Sequence, residues 1–484
     1  MHVLGLDIGT GGARCLVLRV DDGTIVSTAS APVELHHPHP GWSEQAPQDW
    51  WQAACSTIQE ALRQANLSGD DIAAVGLTGQ MHGCTLVDAN DAPVGPAILW
   101  NDQRSEAQCV ALLEQLDREQ WIHRTGKPPL PGLTLPSLRW MQDEQPDRYG
   151  RAKHLLLPKD YLRLKLTGDY ATDAGDASGT MLLDVHQRAW SDDLCTLANL
   201  DPALLPTIHE GTDVTGSVGA SGAAATGLRV GTRVVAGGGD QQTGGVGCGI
   251  VSQGTVSLNL GTSGVLFAAM PEPARALPRG LHLFCHASKD LWHVMGVMLS
   301  AGGSLRWWRD ICDLDYDALV NQAATDSDGV CFRPYLTGER TPHEDPNLRA
   351  GFEGLRLHHS RDVMTRAVLE GIAFGLRDGL SLIRTLQPVD HLRLTGGAAQ
   401  STLWRQLIAD VMGCAVATIN VDQGSAFGAC MLAAVGIGAY PDLHQACDAL
   451  VRETSMTLPV DANRMDEAYM RWSTQVMASG SASR

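Results

Sequence analysis

Apolar and polar positions along the chain alternate between two periods. HVLGLDIGT, residues 2–10, is a short apolar run ending among glycines. ARCLVLRV follows, then a DDGT turn and IVSTAS. This order predicts an antiparallel β-meander. GTVSLNLGTSGVLFAAM, Gly254 to Met270, predicts a second such unit. LGLDIGTGG and VSLNLGTSG match without gaps, pairing Asp7 with Asn259 and Thr10 with Thr262. A hairpin duplicated about half a chain apart predicts two similar α/β domains. They would span residues 1–247 and 248–484, dividing near Gly247 to Gly254. Between the hairpins, DWWQAACSTIQEALRQAN carries apolar residues at helical spacing. IAAVGLTG and VDHLRLTGG read as strands ending at glycine, the second leading into a helix, QSTLWRQLIADVMG. Strand–glycine–helix units belong to α/β architecture. The terminal ASGSASR is small and polar and is expected to fray.

Composition narrows the function classes. The 484 residues carry a formal net charge of −18, which argues against a general nucleic-acid or anionic-membrane partner. It leaves room for an anionic ligand, because clustered backbone N–H groups hold phosphate on an acidic protein. No run reaches the roughly 20 apolar residues of a membrane span, and MHVLGLDIGTGG lacks a basic, signal-like start. The 12 cysteines form no Cys-x-x-Cys pair, so reduced thiols in a cytoplasmic protein are expected. HHPHP, His36 to Pro40, has no carboxylate or cysteine at ligand spacing and is assigned to a loop.

Candidate chemistry begins at the glycine–threonine turns. Gly9, Thr10 and Gly11 in one copy, and Gly261, Thr262 and Ser263 in the other, offer backbone N–H and hydroxyl donors to phosphate. Asp7, just before the first turn, is placed to meet a phosphate-bound Mg²⁺, and Arg14 offers a charged fork. Ordinary hairpins are the plain alternative; duplication favours a two-sided phosphate clamp. Gly396 and Gly397 mark a strand–helix junction that suits either close packing or a nucleotide. No dinucleotide fingerprint or P-loop occurs. In LTGQMHG, Gln80 and His82 lie in a glycine-opened loop and suit either a structural role or hydroxyl binding. AGGGDQQTGGVG, residues 236–247, poses the sharpest choice. Asp240 is either a turn residue or a carboxylate cleared by glycines for phosphoryl transfer to a hydroxyl.

Taken together, these segments resemble the FGGY carbohydrate kinases across essentially the whole chain. The resemblance also includes HPHPGWSEQAPQDWW, ILWNDQR, LLLPKDYLRLKLTGDYATDAGDASGTMLLDV, FCHA, PYLTGERTPH and RAVLEGIAFGL. It implies two actin/hexokinase/Hsp70-like (ribonuclease H-like) domains around a central cleft. ATP phosphates would lie between the turns at Thr10 and Thr262, with adenosine beside Gly396, Gly397 and Ala398. The sugar would meet Gln80, Met81, His82, Asp240 and Gln241, with Asp240 as proton acceptor and Asp7 helping to hold Mg²⁺. The implied reaction is ATP-dependent phosphorylation of D-xylulose at O5, in a family whose members are often homodimers. Three positions depart from the family pattern: Gly11 replaces a hydroxyl residue, Ser137 a lysine and Gln241 an asparagine. Another ketopentose or polyol, a nucleotide-dependent sensor and a non-catalytic sugar-binding module remain the alternatives.

Overall fold

The computed structural model describes residues 1–421 and 424–481, with side chains through 475. Among these residues are two seven-stranded mixed sheets. The first contains β1 (His2–Gly9), β2 (Gly12–Arg19), β3 (Thr24–Pro32), β4 (Ile72–Gly79), β5 (Val214–Ser217) and β6 (Arg233–Val235), in the order β5-β6-β4-β1-β2-β3. A two-residue strand, Gly238–Gly239, extends the sheet beside the end of β4. The second contains β7 (Gly254–Leu260), β8 (Gly264–Met270), β9 (Leu281–Cys285), β10 (Trp292–Met298), β11 (Val389–Thr395), β12 (Ala415–Ile419) and β13 (Glu453–Thr457). Its order is β9-β10-β8-β7-β11-β12-β13.

The predicted duplication is visible in the pairing. β1 runs antiparallel to β2 and parallel to β4; β7 runs antiparallel to β8 and parallel to β11. Asp7 lies opposite Thr78 in β4, and its counterpart Asn259 lies opposite Thr395 in β11. Both central strands are mostly buried, with Asp7 half-buried and its counterpart Asn259 exposed.

Helices cover the sheets and set the site. α1 (Pro47–Ala65) starts with proline at its first position and buries Trp50, Ala54, Ile58 and Ala61 along one stripe. The further helices used below are α2 (Pro158–Thr167), α3 (Asp240–Gly247), α4 (Ala301–Cys312), α5 (Thr402–Met412) and α6 (Gly424–Gly436). α6 comes from the second half of the chain yet packs on the first sheet. A Cβ added at Gly5 or Gly76 would lie 2.0 or 1.9 Å from the Ala426 or Ala429 carbonyl oxygen. An apolar cluster including Val3, Leu16, Val246, Phe267 and Phe427 joins the two halves there.

α3 answers part of the choice at Asp240 by setting aside the turn alternative. Asp240 is the first residue of a helix, capped by the extended Gly239. The surrounding glycines serve packing more than clearance around the carboxylate. Gly237 has φ +78°, and an added Cβ would strike the Leu77 carbonyl at 1.9 Å. At Gly247 it would meet the Gly424 carbonyl oxygen at 2.1 Å, and at Gly428 the Thr243 oxygen at 1.9 Å. These contacts draw α3 and α6 together, backbone against backbone. The final helix, Ala462–Ser481, includes the start of the tail expected to fray; the last three residues lie outside the described residues. Among the described residues no helix is long and apolar enough to cross a membrane.

Candidate active site

Both Gly-Thr turns are held from behind by hydrogen bonds. In the first, the Thr10 hydroxyl donates to Gln80 Oε1 at 2.9 Å and accepts from Trp100 Nε1 at 2.8 Å. Gln45 Nε2 donates to the Thr10 carbonyl at 2.8 Å, while Gln45 Oε1 accepts from Gln80 and from Trp50. Gln80 is thus buried behind Thr10, its amide engaged in holding the turn. In the second turn, Gly302 and Gly303 at the start of α4 donate their N–H groups to the Gly261 and Thr262 carbonyls. Arg306 Nη2 donates to the Thr262 hydroxyl at 3.0 Å. Gly11 is exposed, and a Cβ there would meet nothing within 4 Å.

Asp7 and Asp240 form the electrostatic centre. Asp7 faces Arg14 across the hairpin register, and its Oδ1 is enclosed with no hydrogen-bond partner. Burial pushes its carboxyl up to about 6, against the pull of Arg14. Burial also pushes Asp240 up to about 7, and the nearby Asp7 charge adds to that shift. Hydrogen bonding from Gln241 acts in the opposite direction. Two adjoining carboxylates, one with a free oxygen, provide the hard-oxygen donors that suit Mg²⁺. Below Asp240, Gln242 Nε2 donates to the Gly175 carbonyl at 3.0 Å. Lys159 of α2 lies 2.7, 2.9 and 3.3 Å from Asp160, Asp173 and Asp176 in a fully buried group. These contacts anchor the start of α3.

Two cavities meet at Asp240, and a third, larger one lies beside the second turn. A cavity of about 200 Å³ is lined by Thr10, Met81, His82, Trp100, Asp240 and Gln241, among others. Ser263, Val265, His282, Phe284, Val297 and Arg340 complete its lining with others. A second space, about 80 Å³, shares Asp240 and Gln241 and adds Gly244, Asn259 and Thr395. The largest, about 660 Å³, runs between Gly261, Thr262, Arg306, Gly397, Ala398 and the start of α5. The His82 ring donates from Nδ1 to the Gly179 carbonyl at 2.9 Å. Burial pushes its pKa down to about 3, so Nε2 stays an acceptor. Cys248 borders the middle space, but burial pushes its thiol up to about 11 and keeps it protonated.

The first half of the chain, residues 2–247, matches the N-terminal domain model of the FGGY family of carbohydrate kinases. Residues 256–437 match its C-terminal domain model. The chain belongs to the FGGY carbohydrate kinases. It is 39% identical to a xylulose kinase of Escherichia coli K12, over 93% of each chain. A Lactococcus lactis xylulose kinase is 35% identical, over 97% of this chain and 95% of its own. A xyloylose kinase from Brucella ovis superposes with a TM-score of 0.93 at 36% identity, covering 100% of both chains. A xylulose kinase from Rhodospirillum rubrum gives 0.90 at 29%, covering 99% of each. This FGGY kinase has the two-sheet, actin-like architecture that the family resemblance implied, consistent with the two similar domains expected from its hairpin repeat.

Most of the sequence-predicted site residues line these cavities, and a few lie behind or beside them. Met81, His82, Asp240 and Gln241 meet at the smaller cavity with Thr10 and Ser263. Gly261, Thr262, Gly397 and Ala398 line the largest. Gly396 lies behind that wall: its φ is +85°, and an added Cβ would meet the Leu260 carbonyl at 2.5 Å. Arg14 remains exposed beside Asp7, and Gly9 and Gly11 belong to the turn itself. Trp100, His282, Arg340 and Arg306 were not identified individually from sequence. The first three lie in or beside the family-like segments ILWNDQR, FCHA and GERTPH, but their common cavity depends on tertiary packing.

Proposed function

We propose that this FGGY kinase transfers the terminal phosphoryl group of ATP to the O5 hydroxyl of D-xylulose. The observation carrying this reading is that Asp240 borders both the smaller cavity and the space leading toward Asn259 and the second turn. A sugar in the smaller cavity presents its terminal hydroxyl to that carboxylate, and the nucleotide occupies the largest cavity. Met81 and Phe284 give the sugar's carbon chain an apolar wall, and neutral His82 accepts a hydrogen bond from a sugar hydroxyl. The O5–phosphorus bond forms as the bond from that phosphorus to the β,γ-bridging oxygen breaks. ADP leaves, and the O5 proton passes to Asp240. Asp7, with its unpartnered oxygen, would hold Mg²⁺, which would offset charge on the phosphates. The glycine–threonine turns hold the phosphates through backbone N–H groups, and Arg306 lies beside the second turn.

The similarity to curated xylulose kinases supports the choice of sugar. The test compares kcat/KM for D-xylulose, L-ribulose, L-fuculose, gluconate and glycerol, with NMR locating the phosphate on the product. D-Xylulose should lead the panel and carry phosphate on O5. A clear preference for another sugar, or phosphate at another oxygen, would overturn the assignment.

A further inference from the structure

The cavity that Asp240 lines also holds a cation with no hydrogen-bond or ion-pair partner among the described residues. Arg340 lines the smaller cavity, yet its guanidinium makes no hydrogen bond or ion pair with the described residues. Its acidic neighbour acts on it through charge alone: Glu339 Oε1 accepts the Leu299 N–H at 2.8 Å and the Arg340 backbone N–H at 2.7 Å, not the guanidinium. Thr341, on the other side, donates its N–H to the Val297 carbonyl and its hydroxyl to the Gly280 carbonyl. Its hydroxyl also accepts from Val297 N at 2.8 Å. Both neighbours are therefore tied to the end of β10, fixing the backbone that carries Arg340. His282 lines the same cavity, is only 4% exposed and has an unpartnered Nε2. The Arg340 charge acts on both His82 and His282, placing these groups in one neighbourhood.

A guanidinium only donates hydrogen bonds, and an ionised carboxylate only accepts them. The cavity lining consequently holds an acceptor, Asp240, and a donor, Arg340, and neither charge shifts the pKa of the other. A polyol has hydroxyls at both ends. A 2-ketose also has hydroxyls at both ends, but beside one of them it carries a carbonyl that accepts without donating. We propose that Arg340, beside His282, binds the carbonyl and adjacent hydroxyl oxygens of an open-chain 2-ketose, with the far hydroxyl at Asp240. This proposal deepens the kinase reading and rests on it. Arg340 then selects for the keto group, whereas Asp240 acts on the hydroxyl.

The experiment measures kcat/KM for D-xylulose and a pentitol with wild type, Arg340→Met and Arg340→Lys. Nucleotide affinity and thermal melting report whether each variant folds. Arg340→Met should lower kcat/KM for D-xylulose by roughly 10- to 100-fold, the usual effect of losing a hydrogen bond to a charged group. The pentitol value should fall by less than about threefold. Arg340→Lys, which keeps charge but loses the planar fork, should recover only part of the ketose activity. Equal losses on both substrates would overturn carbonyl recognition. So would D-xylonate binding tighter than D-xylulose in wild type and lost in Arg340→Met, which would assign the cation to an acid sugar. If wild type phosphorylates neither substrate, the kinase reading for these sugars falls. Calorimetry then decides the Arg340 question: D-xylulose binding weakened by that factor in Arg340→Met supports it, and unchanged binding overturns it.

Discussion

Lys127 shows how a single buried residue can reveal itself through pH. It is 0% exposed and forms no ion pair among the described residues. Its Nζ donates to the Thr125 and Ser178 carbonyls at 2.6 and 2.8 Å and lies 4.1 Å from the Phe284 ring centroid. Burial pushes its pKa down to about 7 from the ordinary 10.5. Between these values the folded chain binds fewer protons than the unfolded chain, so this residue makes stability rise with pH. Its destabilising effect is fully present below pH 7 and disappears above the unfolded value. Lys127→Met should remove up to about 1.4 kcal/mol per pH unit from the slope of unfolding free energy in that interval. Urea titrations across pH 7–10 check this; an unchanged slope contradicts it. The lysine's isolation was not legible in GKPPLPG, because it arises when Thr125, Ser178 and Phe284 enclose the side chain. His82 and Met81 were legible because their loop carries a recognisable motif. Gln80 lies in the same loop, yet pairing with Thr10 and Gln45 turns its amide away from the smaller cavity.

At the scale of elements, strands were easier to read than the start of α3. β4 occupies Ile72–Gly79 as expected, and the helix expected from Asp49 forms two residues earlier, from Pro47. AGGGDQQTGGVG looked like a turn because glycine disfavours helices. Tertiary contact overrides that preference: α3 and α6 approach so closely that a side chain at their crossing would displace backbone. Gly428→Ala should destabilise the protein by about 1–3 kcal/mol or more, because the new Cβ would lie 1.9 Å from the Thr243 carbonyl oxygen. Gly11→Ala, where a Cβ meets nothing within 4 Å, should stay within about 0.5 kcal/mol of wild type. Chemical denaturation compares the pair. Equal stability of the two variants would contradict the packing account.

At the scale of the molecule, the hairpin repeat revealed the paired sheets because it survives as matched sequence around Asp7 and Asn259. It could not reveal that α6, far along the chain, closes the first sheet against α3. That long-range packing brings the start of α3 beside the first turn, with its counterpart from the second sheet across the middle space. The central proposal is that this assembly makes Asp240 the proton acceptor for sugar phosphorylation. The most direct measurement is turnover of Asp240→Asn with saturating D-xylulose and ATP, alongside its nucleotide Kd. The account predicts a kcat lower by roughly 10²- to 10⁴-fold, with nucleotide Kd within about threefold of wild type. Turnover near the wild-type rate would contradict it.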